Sequence, residues 1–377
     1  MKQLRSSFLS AWILIFPILL PNPAFPQPRN AACWPGFRGD PQLTGFSAAR
    51  ISPPLRLLWT FKTGDAIKSS AVVCGDRIYI GSNDGYLYAL STAGNLLWKF
   101  NAGNSIEAPP LLAGDKVIAG TLEGTLYAVD VNTGRECWHY ATEGQISGAP
   151  NRVSSRNGAP EAVLAGSYDY HLHCLDAATG RLRWKYETGS YINGSPALYG
   201  RIAIFGGCDG HLYLVNTSDG KLISRTDIGT YMASSPAIGG NKAFFGNYDG
   251  EFFCFDLRKN RMDWKTPGGG PFLSSPAVAG NRVVIGSQNK SVYCFDSATG
   301  KLLWTYKAQG KVDASPVISG NNVVIASADG RICFLDLDTG NVRWNYDIGS
   351  AVYSTPAVTS AGIVTGADDG MLYFFGK

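Results

Sequence analysis

A unit of about 40 residues recurs along nearly the whole chain, and nothing else in the sequence limits the fold so strongly. Its clearest copy is Ala326–Val358, where short alternating apolar runs are separated by turn dipeptides at Asp329-Gly330, Thr339-Gly340 and Ile348-Gly349. Ile332 and Phe334, then Val342, Trp344 and Tyr346, alternate as half-buried strands do. A glycine accepts the positive φ of a tight hairpin, so each dipeptide marks a chain reversal. Tryptophan returns at Trp59, Trp98, Trp138, Trp184, Trp264, Trp304 and Trp344, with Ser224 standing where an eighth would fall. The hairpin turn returns at Asp84-Gly85, Glu123-Gly124, Asp169-Tyr170, Asp209-Gly210, Asp249-Gly250, Asn289-Lys290, Asp329-Gly330 and Asp369-Gly370.

Four short strands per unit and eight such units predict an all-β fold, an eight-bladed β-propeller with four-stranded blades. A single unit cannot bury both faces of its sheet, so the blades must stack around an axis. The two ends predict how the ring closes. The last unit stops after a third strand at Met371–Phe375, whereas the first regular segment, Leu57–Phe61, is a fourth strand with no blade before it. Pairing them completes the last blade near Trp59 and leaves no open sheet edge. Residues 33–377 are accordingly expected to form one propeller domain.

The formal net charge is +4, but Lys2, Arg5 and Arg29 lie in or near a segment expected to be removed. The mature chain is then close to neutral and has no Lys/Arg cluster, so no nucleic-acid or anionic-membrane partner is expected. Lys2 and Arg5 precede the apolar run Phe8–Leu20, interrupted by Pro17, which reads as a secretory signal rather than a membrane span. Residues 1–32 are therefore a signal segment and Pro-rich lead-in, and the protein is expected to be exported to the periplasm, cell envelope or exterior. Cys33 follows a poor lipobox, and no lipid anchor is expected there. The eight cysteines do not look like a disulfide framework. Cys174, Cys254 and Cys294 occupy one repeat position and Cys333 the position before it, so small buried thiols are the expectation.

The phrase Gly-Ser-x-Asp-Gly-x-Leu-Tyr-Ala-Leu-Asp-x-x-Thr-Gly-x-x-x-Trp, plain at Gly166–Trp184 and Gly286–Trp304, resembles the pyrroloquinoline-quinone-like (PQQ-like) propeller repeat. The opening Trp34-Pro35-Gly36-Phe37-Arg38-Gly39-Asp40, followed by Thr44-Gly45, is similar to the lead-in of many bacterial members of that family. Members include quinoprotein dehydrogenases and the outer-membrane assembly lipoprotein BamB. The resemblance implies the fold and leaves the activity open. The dehydrogenases of the family stack their quinone against a ring closed by adjacent cysteines and hold a calcium ion nearby. This chain has no Cys-Cys pair and no long insertions, so no cofactor is expected, neither PQQ nor calcium.

In a propeller, the loops joining one blade to the next share a face with the turns between second and third strands. Lys68, Glu107, Ser147, Asn193, Ala233, Leu273, Asp313 and Tyr353 precede the Pro step in these loops; Asn83, Leu122, Tyr168, Cys208, Tyr248, Gln288, Ala328 and Asp368 precede the hairpin turn. Tyr191, Tyr231 and Phe272 add aromatic surface. The expected binding rim comprises Lys68, Glu107, Asn193, Asp313, Tyr353, Tyr168, Tyr191, Tyr231, Tyr248, Gln288 and Asp368, a mixture that suits a protein, peptide or small ligand. No catalytic residue and no metal ligand set is expected. The turn aspartates are explained by turn geometry, and a two-histidine site of His171 and His211 lacks an evident third ligand. The hairpin Ser154–Glu161 is a second contact point on the opposite face. The reading is a monomeric, exported, non-catalytic scaffold of the BamB type that binds a protein or a ligand, the alternative being a quinoprotein-type or other enzyme with a PQQ or metal site in the funnel.

Overall fold

The structure, a computed structural model, describes residues 31–154 and 161–377; the run Phe8–Leu20 and residues 155–160 of the long hairpin lie outside them. Three strands come before the first complete blade: β1 (Cys33–Trp34), β2 (Phe46–Ser47) and β3 (Arg56–Lys62). The remaining strands fall into eight antiparallel sheets in chain order, numbered blades 1 to 8 from Val72 onward. Blade 8 contains Ala357–Thr359, Gly362–Gly366 and Met371–Gly376, and β3 pairs with Met371–Gly376 as its outer strand. Trp59 stacks on Phe374 across this seam, with ring centres 5.0 Å apart. The expected closure is therefore present.

The repeat tryptophans sit on the outer strands, and six of them tie their strand to the next blade by a hydrogen bond. Their indole N–H groups donate to carbonyls in the next blade's third-to-outer turn: Trp59 to Thr92, Trp98 to Val131, Trp138 to Ala177, Trp184 to Thr217, Trp264 to Ser297 and Trp304 to Leu337, at 2.9–3.3 Å. Each ring lies flat over the turn glycine of that blade. A Cβ on Gly94, Gly134, Gly180, Gly220, Gly300 or Gly340 would approach the ring to within 2.6–2.9 Å, which explains the glycine of the Thr-Gly signature. A half-buried indole removes roughly 100 Å2 from water, on the order of 2 kcal/mol at about 25 cal/mol per Å2.

Nearer the axis, a belt of hydroxyl groups joins the blades. The backbone N–H of Ala149 donates to Ser195 Oγ, Ser195 to Ser235, Ser235 to Ser275, Ser275 to Ser315, Ser315 to Thr355 and Thr355 to Ser70, all at 2.8–3.0 Å. The belt has its gap at blade 2: Pro109 has no hydroxyl to receive the Ser70 N–H and no N–H to offer Ala149, which has no hydroxyl either.

Residues 31–51 make one full circuit around the axis on the face opposite the interblade loops. Ala31 and Ala32 accept N–H bonds from Ser360 in blade 8 and Gly75 in blade 1; Pro35 accepts from Leu112 in blade 2. Pro41 accepts from the Asn151 side chain in blade 3 and from Leu198 in blade 4. Gln42, Thr44 and Gly45 then accept from Ile238, Val278 and Ile318 in blades 5, 6 and 7, and the Ser47 hydroxyl donates to Val358 back in blade 8. Along this strip β1 adds antiparallel to blade 1 and β2 adds parallel to blade 7. Arg38 is fully buried within it and donates to the Pro276 carbonyl at 2.9 Å.

The strip also corrects the cysteine reading. Cys33 and Cys74 form a disulfide between β1 and blade 1, so one pair is bridged where only thiols were expected. Cys33 stands outside the repeat, and comparing cysteines by repeat position could not find its partner. Cys174, Cys254, Cys294 and Cys333 are free and buried, as read from the sequence.

Candidate functional site

The interblade loops and the second-to-third-strand turns lie side by side on one face because the backbone clamps them together. In every blade the N–H of the residue before the hairpin turn donates to a loop carbonyl: Asn83 to Ala66, Leu122 to Ser105, Tyr168 to Gln145, Cys208 to Tyr191, Tyr248 to Tyr231, Gln288 to Pro271, Ala328 to Lys311 and Asp368 to Ala351, at 2.8–3.1 Å. The next loop residue is always apolar and fully buried: Ile67, Ile106, Ile146, Ile192, Met232, Phe272, Val312 and Val352. That anchor presents the following residue, Lys68 through Tyr353, to the rim. Phe272 is thus an anchor and not aromatic surface; its equivalence to seven buried apolar residues was the signal for this.

The rim has two unlike halves. Around blades 1, 2, 6, 7 and 8 it is polar. Lys68 Nζ contacts Glu107 Oε1 at 2.9 Å, and the Asn83 amide donates to the same oxygen at 3.0 Å. The hydrogen bond to Glu107 chiefly raises the Lys68 pKa, with Asp368 and Tyr353 adding to it. Burial raises the Asp368 pKa against the pull of Lys68. Gln288 Nε2 donates to Asp313 Oδ2 at 3.4 Å, and burial raises the Asp313 pKa as well. Asn83 Oδ1, Asn193 Oδ1 and Asp313 Oδ1 are buried acceptors without a partner among the described residues, three oxygens able to receive donors from a bound molecule.

Around blades 3, 4 and 5 the rim is aromatic. Tyr168 stacks on Tyr191 with centres 4.8 Å apart, and Tyr231 on Tyr248 at 4.4 Å. Tyr170 leans on Tyr191 from the turn, at 5.2 Å. Tyr170, Tyr191 and Tyr248 remain 41, 42 and 40 % exposed. Tyr170 was read only as half of a turn; it holds the glycine position with φ of 71° and adds to the aromatic patch. Between the two tyrosine pairs, in blade 4, Asn193 donates to Cys208 Sγ at 3.1 Å. The structure thus gathers the residues read from the sequence onto one face, in a charged arc and a tyrosine arc.

The turn carboxylates do structural work. Asp84, Asp209 and Asp369 accept the hydroxyls of Tyr88, Tyr213 and Tyr373 at 2.5–2.6 Å. Asp84 and Asp209 also accept an N–H from the neighbouring loop, at Gly64 and Gly189. His171 and His211 do not face each other; each ring folds onto its own turn carbonyl, of Asp169 and Asp209. On the opposite face, a cleft of about 260 Å3 is bounded by Pro41 and Gln42 of the strip and by Arg152, Arg183 and Arg201 of blades 3 and 4. Among the described residues no helix is long and apolar enough to cross a membrane.

Comparison with known proteins places this geometry. The family model described as "Beta-alanine-activating enzyme, beta-propeller" matches residues 153–376, more than half of the chain. A second, "Outer membrane protein assembly factor BamB", matches residues 49–193. Among solved structures, BamB from Moraxella catarrhalis superposes with a TM-score of 0.75 at 19 % identity, covering 86 % of this chain and 98 % of that one. A europium-containing methanol dehydrogenase gives a TM-score of 0.79 at 14 % identity, covering 93 % and 99 %. The quinohemoprotein alcohol dehydrogenase of Comamonas testosteroni gives 0.76 at 15 %, covering 91 % and 80 %. At these identities the superpositions speak for the fold alone. No curated protein sequence matches the chain.

Proposed function

Because the chain belongs to the β-propeller family described for the beta-alanine-activating enzyme, within the PQQ-like propeller superfamily, we propose that it is an exported, non-catalytic scaffold that binds a protein or peptide on its loop face. The observation that carries this reading is the tyrosine arc. Two stacked pairs and Tyr170 leave large amphipathic rings exposed beside a charged arc, the composition of a protein-binding surface. Tyrosine offers contact area at small entropic cost, and the flanking carboxylates and Lys68 supply orientation. Export is supported by the Cys33–Cys74 bridge, which an oxidising compartment favours. The likeness to an outer-membrane assembly factor supports a protein partner in the envelope.

The test is native mass spectrometry of the mature protein purified from its own host's envelope fraction, beside a Tyr191→Ala/Tyr248→Ala variant. The reading expects one chain per particle, no retained organic molecule, and a co-purifying protein that the double variant loses. A small organic molecule retained at one per chain, with the partner absent, would replace it with the quinoprotein-like alternative.

A further inference from the structure

One group of side chains on the loop face is not used by the scaffold reading. Asp169, His171 and His173 stand at alternate positions from the turn into the third strand of blade 3, so their side chains share one side of the sheet. One donor atom from each lies within 4.8 Å of the others. His173 Nε2 is 3.1 and 2.9 Å from the two Asp169 oxygens, and His171 Nδ1 is 3.6 Å from Oδ1. Two donors bound to one tetrahedral ion at 2.0–2.1 Å stand about 3.3 Å apart, so the separations to Asp169 match two edges of a coordination shell, and a turn of the His171 ring closes the third. The Asp169 and His173 side chains are 7 and 3 % exposed, and His171, at 18 %, forms the open edge.

The surroundings hold the donors in place. The Tyr140 hydroxyl, from the outer strand of blade 2, meets His173 Nδ1 at 3.1 Å, a contact that fixes the ring and leaves Nε2 aimed at Asp169. Asp169 is fixed by the N–H groups of His171 and Glu143, at 3.0 and 3.3 Å. The other blades supply a comparison. Blade 4 repeats the arrangement with Asp209 and His211 but carries Tyr213, whose hydroxyl can donate to the carboxylate but makes a poor ligand. Blades 1 and 8 likewise use Tyr88 and Tyr373. His173 keeps that bond to the turn aspartate and adds a nitrogen donor, and blade 3 alone combines it with a histidine two residues earlier.

We propose that Asp169, His171 and His173 bind one borderline divalent ion of the Zn2+ class at the rim of blade 3. Two imidazoles and a carboxylate suit such an ion, and the fourth position faces outward beside Tyr170, for water or a donor from a partner. Binding through His173 Nε2 moves that ring's proton to Nδ1, which then donates to the Tyr140 hydroxyl oxygen. Coordination through His171 Nδ1 moves that ring's proton to Nε2 and gives up its 2.7 Å contact with the Asp169 carbonyl. The ion would pin the turn that carries Tyr168 and Tyr170. The proposal stands apart from the scaffold reading, since either can fail alone.

The test titrates Co2+, then Zn2+, into the full mature chain, freed of metal and made without a histidine tag. One ion per chain is expected, with the visible absorption of tetrahedral Co2+ and no thiolate charge-transfer band. His171→Ala and His173→Tyr should each weaken binding at least about tenfold. His173→Tyr restores the tyrosine–aspartate bond of blades 1, 4 and 8 and so remains folded, while His211→Ala should bind as the parent does. Affinity unchanged in both blade 3 variants, a thiolate band from the free cysteines, or no binding above that of His171→Ala would overturn the site.

Discussion

Blades 4 and 5 carry Ser224 and Asn260 where the repeat elsewhere sets a tryptophan over a glycine. The two exceptions face each other: Ser224 Oγ donates to Asn260 Oδ1 at 2.7 Å, and Asn260 keeps the positive φ of the missing glycine, at 51°. The sequence leaves the loss of the eighth tryptophan unexplained and suggests a weak blade. In the structure the Asn side chain occupies space that an indole would need. Ser224→Trp alone should therefore destabilise by about 1–3 kcal/mol through overpacking, and adding Asn260→Gly should recover that loss. Urea unfolding of the parent, both single variants and the double variant measures the coupling; simple additivity would refute it. Asp40 gives a second residue-scale expectation. Burial raises its pKa to about 6, against the bonds from Thr44 and the charge of Arg38. A carboxyl raised in the fold contributes stability that is complete below the ordinary carboxylate range and lost as pH rises through about 6, by at most about 3 kcal/mol. Asp40→Asn also removes the counter-charge of Arg38, so its absolute stability will shift. The diagnostic is the slope: the melting temperature should fall between pH 5 and pH 7 in the parent and stay flatter in the variant.

At the scale of elements, the belt and the strip make separable claims. Ser275→Ala leaves the Ser235 N–H without its acceptor inside the ring, and should cost about 1–3 kcal/mol with the fold intact. The strip is held by its bridge across a sequence separation of 41. Replacing Cys33 and Cys74 with serine should lower stability by about 2–4 kcal/mol. It should also speed hydrogen exchange at Leu112, Leu198, Ile238, Val278 and Ile318, whose N–H groups the strip receives. Equal exchange in both proteins would mean that the strip stays docked without its bridge. The blades were legible because side-chain alternation and turn glycines report strand pairing directly. The strip was not, because it binds mainly through its own carbonyls, at Pro35, Pro41, Gln42, Thr44 and Gly45, and a carbonyl contact leaves no mark on residue type. Phe272 was misread because an aromatic residue in a loop was counted as surface; aligning the eight loops one position earlier sets it beside seven apolar residues that are all buried.

For the whole molecule, closure depends on one seam between β3 and Met371–Gly376. A chain ending at Gly370 would leave β3, Trp59 and the edge of blade 8 unpaired, and should unfold at markedly lower temperature or associate through the open edge; sedimentation and circular dichroism together distinguish it from a closed ring. The rim was legible as a set of positions, since uniform repeats single out their variable sites. Its division into charged and tyrosine arcs needed the structure, which alone shows which neighbours stack. The circuit of residues 31–51 has a further consequence. Near-identical units are poor at counting themselves: a ring one unit short or long would satisfy most pairwise contacts between neighbours. A strip that must reach each unit in turn and return to its starting point fits only one circumference. The first residues of the folded ring thus act as a gauge laid against the rest, accepting a ring of eight and leaving its own carbonyls unmet in any other.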